Sequence, residues 1–316
     1  MARDGTRALG RLPPGLRDLA TRKQSKGTSP LRGRDRTRRY VSDFAAKSFE
    51  PFAAEVAYIN LNERLGERLM RQLSGKTTID LLDIAAGTGL NTSILYDKAH
   101  VSGANVNSVL LDLDLPALQQ ARVDVHADRA DFVYASADHI PLKQSFDAAI
   151  FANSIHLLSN ESKGKALAEV NRVLRPGGVL AVNSTFYDGA YPEESKPFYS
   201  RWIRRAIVEI NQRLPQRSKS GAAQAMEFLL AQEYLDLIDK AGFKVVETRA
   251  RRVLLSQAAV RAISSYKEFA KGALHAADED ADEASRALQA TVQQTFHDLK
   301  MKYLPRNWLE IIAVKA

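Results

Sequence analysis

Between residues 76 and 186 short β-type runs alternate with longer helical runs, a rhythm that restricts the fold more than any other property of the chain. "TIDLLDIAA", "SVLLDLD", "ADFVYASA", "FDAAIFANS" and "GGVLAVNSTF" have the length and apolar content of buried strands. "NTSILYDKAHVSG", "PALQQARVDVH" and "SKGKALAEVNRVL" lie among them as helices. Near-continuous apolar strands joined through helices predict an α/β fold with a doubly wound, mostly parallel sheet covered on both faces.

On either side of this core the pattern is helical. From Tyr40, apolar residues recur at helical spacing through Phe44, Phe49, Phe52, Val56 and Ile59, then Leu61, Leu65, Leu69 and Leu73, predicting one or two amphipathic helices broken near Pro51. After Phe186 the spacing predicts helices over 198–213 and 222–240, with Gly242 as a stop before the strand "FKVVETRARRVLL". A helical stretch over 256–303 is interrupted by "DEDADEAS", and "NWLEIIAVKA" closes the chain as a strand. The expected organisation is a basic tail over 1–39 and one domain over 40–316. That domain divides into a helical cap over 40–75, a core over 76–186, a substrate and lid region over 187–306 and a final strand over 307–316.

A chain of 316 residues with 45% hydrophobic content buries a full core. Its net charge of +8 is concentrated in residues 1–39, where 12 Lys and Arg face only Asp4, Asp18 and Asp35, which leaves the rest at −1. A nearly neutral body argues against a broad nucleic-acid face, which needs clustered phosphate contacts. The tail is poor in apolar residues and reads as disordered: a solvated extension, an arm for anionic partners or an organelle-targeting peptide. With no cysteine, disulfides, thiolate metal sites and a Cys nucleophile are excluded. No metal centre is expected. No run reaches the roughly 18 apolar residues of a membrane span, and no apolar h-region follows the first residues, so a cytoplasmic location is the expectation.

Chemistry gathers where the first strand ends. In open α/β sheets a ligand lies beyond the carboxyl ends of the strands, where strand order reverses. Residues 83–89 occupy that position: Asp83 as a charge, Ala85 and Ala86 as small residues, Gly87 and Gly89 as points of close backbone approach. The helix opening near Leu90 contributes backbone N–H groups. "LLDLD" ends at Asp112, where a carboxylate can accept from both hydroxyls of a ribose, so a nucleoside ligand is implied. Asp114 reads as the cap of the next helix. An NAD-dependent oxidoreductase fits less well, because Thr92 stands where its fingerprint requires a third glycine.

With these residues in place, the chain resembles the class I S-adenosylmethionine-dependent methyltransferases, in particular the small-molecule branch of the ubiquinone and menaquinone biosynthesis enzymes. The resemblance spans about residues 79–186 and rests on "LLDIAAGTG", "VLLDLD", "ASADHIPLKQSFDAAIFANSIHLL" and "EVNRVLRPGGVLAV", in family order. It implies a Rossmann-like seven-stranded sheet with N-terminal helices, an inserted helical lid and S-adenosyl-L-methionine as cofactor. The cofactor-binding residues it implies are Asp83, Ala85, Gly87, Gly89, Asp112, Leu113, Ser136, Ala137, Asp138 and Asn153. Ala85 replaces the first glycine of the family motif. In the adenine turn Ser136, Ala137 and Asp138 stand where an acidic or amide residue and an alanine are usual, and Asp138 is preferred for the adenine amino group.

The expected activity is methyl transfer to an O, N or C atom of a medium-sized, partly apolar organic acceptor. His156 is the candidate general base, able to take a proton near neutrality if the acceptor carries one. Tyr40, Phe44, Tyr187, Tyr191, Phe198, Tyr199 and Trp202 are the candidate acceptor-binding residues. Covalent base methylation is excluded by the missing thiolate, and amino methylation of DNA by the absence of an Asn/Asp-Pro-Pro-aromatic motif. Two alternatives remain: an RNA or protein methyltransferase guided by the tail, and an inactive cofactor-binding partner subunit. Oligomeric state is left open, a homodimer included.

Overall fold

The computed structural model describes residues 49–125, 128–216 and 228–316. The basic tail, Tyr40 and Phe44 lie outside the described residues.

Seven strands form one sheet in the order β3-β2-β1-β4-β5-β7-β6. They are β1 (Thr78–Ile84), β2 (Asn105–Asp112), β3 (Ala130–Tyr134), β4 (Phe146–Ala152), β5 (Leu174–Ser184), β6 (Phe243–Leu255) and β7 (Leu304–Lys315). The first five run parallel, whereas β7 inserts antiparallel between β5 and β6. Strand order reverses between β1 and β4, which places the crevice at residues 83–89 and 152–156.

Alternation along the strands sorts side chains into two cores. Leu82 and Ile84 of β1, with Ala149 and Phe151 of β4, pack under α5 (Asn160–Val173) and α7 (Ala231–Lys240). Ile79 and Leu81, with Ala148 and Ile150, pack under α2 (Val56–Gln72) and α3 (Leu90–Ser102). Asp83 has the parity of the second set and faces α3. A third cluster joins α1 (Glu50–Ala53), α6 (Lys196–Arg213), α8 (Gln257–Ser264), α9 (Lys267–Leu274) and α10 (Ala281–Asp298) to Leu304 and Trp308 of β7. The helices expected to cap and roof the sheet thus share one core. The remaining helix, α4 (Leu115–Asp124), is capped by Asp114, whose carboxylate accepts from the Ala117 N–H at 3.0 Å.

Several expected boundaries shift. Pro51 starts α1 instead of breaking a helix, because a first-turn proline lacks only an N–H the helix does not use; the break falls at Glu55, which is extended. The helix expected over 222–240 begins at Ala231 among the described residues. Leu229 before it bridges to Tyr187, and the Ala231 N–H is bound by the Asp188 carboxylate at 2.9 Å. Besides the acidic turn, the stretch 256–303 is interrupted at Ser265 and Tyr266. The last strand starts at Leu304, earlier than residue 307, and includes Pro305; β5 pairs only with residues 309–314, so this proline has a free edge on one side.

Candidate active site

The turn after β1 is built from conformations that most side chains resist. Ala85, Gly87 and Gly89 all have positive φ, at 52°, 56° and 84°. The two glycines are needed for different reasons. A Cβ on Gly89 would lie 2.4 Å from Val125 Cγ2 and 3.1 Å from Leu110 Cδ2, so this position serves helix–sheet packing. A Cβ on Gly87 would meet nothing within 4 Å, so this backbone borders open space. Ala85 departs from glycine in the same left-handed region, where a Cβ is strained.

Asp83 is buried beneath that turn. Its Oδ2 accepts from the Thr92 N–H at 3.1 Å and the Thr92 hydroxyl at 2.7 Å, while Oδ1 has no hydrogen-bond partner. Burial pushes its pKa up to about 7 against the lowering effect of the Thr92 bonds, with Asp112 adding to the rise. A buried carboxylate oxygen lacking a donor suits a cationic ligand group. The Asn91 Oδ1 is similarly buried and unpartnered. Nothing in the sequence distinguished that asparagine from a helix N-terminal residue.

Asp112 ends β2 and closes over the same turn: Oδ2 accepts from the Gly87 N–H at 2.6 Å and Oδ1 from the Asp114 N–H at 2.8 Å. Each oxygen keeps a second lone pair for a ligand hydroxyl. Leu113 next to it is exposed. In the turn after β3 the Ser136 hydroxyl donates to Asp138 Oδ1 at 2.5 Å, and this bond holds the Asp138 carboxyl below its usual range. Ala137 is buried beside them.

Asn153, just after β4, has φ of 56° and sits in a set of interlocked amides. Its N–H donates to Asn183 Oδ1 at 2.8 Å, and its Nδ2 donates to Asn62 Oδ1 at 3.2 Å. The Trp308 indole donates to Asn153 Oδ1 at 2.7 Å. Asn153 also lines a cavity walled mainly by aromatic and aliphatic residues such as Phe52, Tyr58, Phe186, Tyr199, Trp202 and Trp308. Two of its tyrosines sense the carboxylates of the turn. Burial raises the pKa of both, with Asp83 adding to the effect on Tyr58 and Asp112 to that on Tyr266, which reaches about 12. Cavity and turn are thus electrostatic neighbours.

The candidate acceptor residues divide. Tyr199 and Trp202 line the cavity. Phe198 does not: it is fully buried against Trp202 and Phe296, and is a core residue. Tyr187 packs in the α5–α7 core with its hydroxyl unpartnered. Tyr191 lies behind the wall, stacked on Phe228 at 5.4 Å. His156 lines the cavity, but is not a base poised near neutrality. It is buried, stacked on Phe186 at 3.9 Å and bonded through Nδ1 to the Ser184 hydroxyl at 3.3 Å. Burial, aided by the charges of Lys163 and Arg306, pushes its pKa down to about 3, so the imidazole is neutral at ordinary pH.

Residues that sequence reading missed are mostly polar ones inside apolar surroundings. Asn183 interrupts the apolar run "VLAVNS", a signal that was available. Arg306 carried none, since an arginine between Pro305 and Asn307 reads as solvated.

Comparison with known proteins finds methyltransferases. Residues 81–178 match the family model of a methyltransferase domain. A ubiquinone/menaquinone biosynthesis C-methyltransferase, UbiE, of Brucella canis is 31% identical over 181 residues, covering 53% of this chain and 63% of the relative. An O-methyltransferase of Aspergillus nomiae is 32% identical over 142 residues, covering 44% of this chain and 59% of the relative. The chain therefore spans less than two thirds of these curated relatives. Among solved structures, a protein described as a sarcosine dimethylglycine methyltransferase from Galdieria sulphuraria shares the fold. Its TM-score is 0.50 at 18% identity, over 82% of this chain and 86% of that one.

Proposed function

We propose that this chain, whose residues 81–178 are a class I methyltransferase domain resembling UbiE, transfers a methyl group from S-adenosylmethionine to an O, N or C atom of a medium-sized, largely apolar organic acceptor. One observation carries the reading: the unpartnered, buried Asp83 Oδ1 lies beneath a turn whose Gly87 borders open space, at the reversal of strand order.

The donor set suits the cofactor. Asp83 Oδ1 would take the ammonium of its amino-acid portion, and Asp112 the ribose hydroxyls through lone pairs left over from the Gly87 and Asp114 bonds. Ala137 and Asp138 would hold the adenine, Ser136 would orient Asp138, and exposed Leu113 would cover the ring. Bound there, S-adenosylmethionine supplies a methyl already activated on a sulfonium.

The chain's own task is then to hold the acceptor in the adjoining cavity, keep water out and fix its direction of approach. The aromatic walls serve the first two functions. Asn153, locked by Asn62, Asn183 and Trp308, fixes the border between groove and cavity. His156 is neutral and offers a hydrogen bond, not a base. An acceptor atom that must lose a proton therefore enters ionised.

Calorimetric titration with S-adenosylhomocysteine tests the cofactor half of the reading. The wild type should bind and Gly87→Arg, which fills the open space, should not; normal binding by the variant would refute the assignment. Incubation with labelled cofactor and a fractionated extract, followed by mass analysis, should then yield a labelled small molecule.

A further inference from the structure

Among the described residues two arginines are buried, Arg68 and Arg306, and their surroundings differ in kind. Arg68 meets the Glu310 carboxylate at 2.5 Å, and Arg251 meets the same carboxylate at 2.9 Å. Arg306 forms no ion pair among the described residues. Its Nε donates to the Thr185 hydroxyl at 2.7 Å and its Nη2 to the Thr185 carbonyl at 2.9 Å. The rings of Tyr191, Tyr199 and Phe186 surround the guanidinium at 3.9, 5.3 and 5.9 Å. The acid in the cavity wall, Glu268, is held by Lys271 at 2.7 Å.

This cation lines the cavity. Burial works to lower its pKa, but hydrogen bonding to the Tyr191 and Tyr199 side chains favours the charged form, and an arginine keeps its charge at ordinary pH. A buried charge without a counter-ion is expensive, and an apolar side chain of similar volume would pack among these rings without that penalty. The aromatic cage and Thr185 hold the guanidinium in one orientation and supply part of its solvation, but no negative charge.

On the reading of this cavity as the acceptor pocket, we propose that the acceptor is an organic carboxylate on a planar apolar body, and that Arg306 seats the carboxylate. The planar fork of arginine matches a carboxylate with two parallel N–H donors, and burial makes such a pair stronger than it is in water. The aromatic walls accept the planar body. Thr185 and Tyr191 are then positioning residues, acting through Arg306.

The test is calorimetry on the full chain near neutral pH with two ligands of equal shape, 2-naphthoate and its neutral counterpart 2-naphthamide. The carboxylate should bind the wild type at least about ten-fold more tightly, the scale of one charge-assisted pair. Arg306→Met should erase that preference while leaving naphthamide affinity in place, and Arg306→Lys should restore part of it. If the Met variant does not fold, the wild-type comparison still decides. Equal affinity for the two ligands, or no binding of naphthoate, overturns the anion seat. A parallel titration with S-adenosylhomocysteine separates the two ideas. Normal binding there with no naphthoate preference removes the seat alone, whereas absent binding strikes the methyltransferase reading itself.

Discussion

The Gly87 N–H donates to Asp112 Oδ2 at 2.6 Å, so the carboxylate that ends the second strand also fixes the turn that ends the first. One side chain thus shapes both walls of the groove. Asp112→Ala removes this bond, the Asp114 bond and the ribose acceptor together. The affinity for S-adenosylhomocysteine should fall by roughly 1.5–3 kcal/mol, the scale of hydrogen bonds to a charged group. A loss of only a few tenths in calorimetry would move the ribose elsewhere.

Asp83 should make both stability and binding depend on pH. With its pKa pushed up to about 7, the folded chain keeps a proton that an unfolded aspartate, with a pKa of about 4, has released. Folding stability therefore falls as pH rises through this window, and Asp83→Asn should remove that slope in urea titrations at stepped pH. A cationic ligand reverses the preference. S-adenosylhomocysteine, which carries the ammonium, should bind more tightly as pH rises through about 7 and should release protons on binding. Binding that weakens over the same range would contradict an ammonium at Asp83.

For His156 the sign is opposite. A folded pKa pushed down to about 3 lies below that of an unfolded histidine, so the stability this residue confers is present above about pH 6.5 and is lost as acid is added. Turnover should show no inflection near pH 6–7 from this group, and His156→Gln should leave the shape of the pH–rate profile unchanged. An acid limb near pH 6.5 that vanishes in the variant would restore the histidine as a base.

A methyl group should be unfavourable at both Gly89 and Ala85, so adding it at the first and removing it from the second should shift stability in opposite directions. Gly89→Ala adds a Cβ 2.4 Å from Val125 Cγ2 at φ of 84°, and should cost about 2–4 kcal/mol from backbone strain and overpacking together. Ala85→Gly relieves a left-handed alanine, and the extra freedom of the unfolded chain offsets part of the gain, leaving less than about 1 kcal/mol of stabilisation. Urea unfolding curves measure both.

The sheet was legible because parallel strands buried on both faces write themselves as uninterrupted apolar runs, and because Asp83 and Asp112 stand out as charges at the ends of such runs. The cap was legible only as helices. Which aromatic residues line the cavity depends on how five helices meet β7, and no local spacing encodes that: Phe198 and Trp202 lie one turn apart on α6, yet only Trp202 reaches the cavity. The chemistry of His156 was hidden for the same reason. Its neutral state comes from burial, with Phe186 stacked upon it, and from the charges of Lys163 and of Arg306, the latter 150 positions along the chain.

The cavity also contains its own optical probe. Trp202 and Trp308 are the only tryptophans in the sequence, and both stand in its wall. The Trp308 indole is tied to Asn153 at the groove, the Trp202 indole to the Leu288 carbonyl at 3.0 Å in the helical roof. Intrinsic emission should therefore respond to ligand entry without a label, and replacing either indole with phenylalanine would leave the other to watch its own end of the chamber.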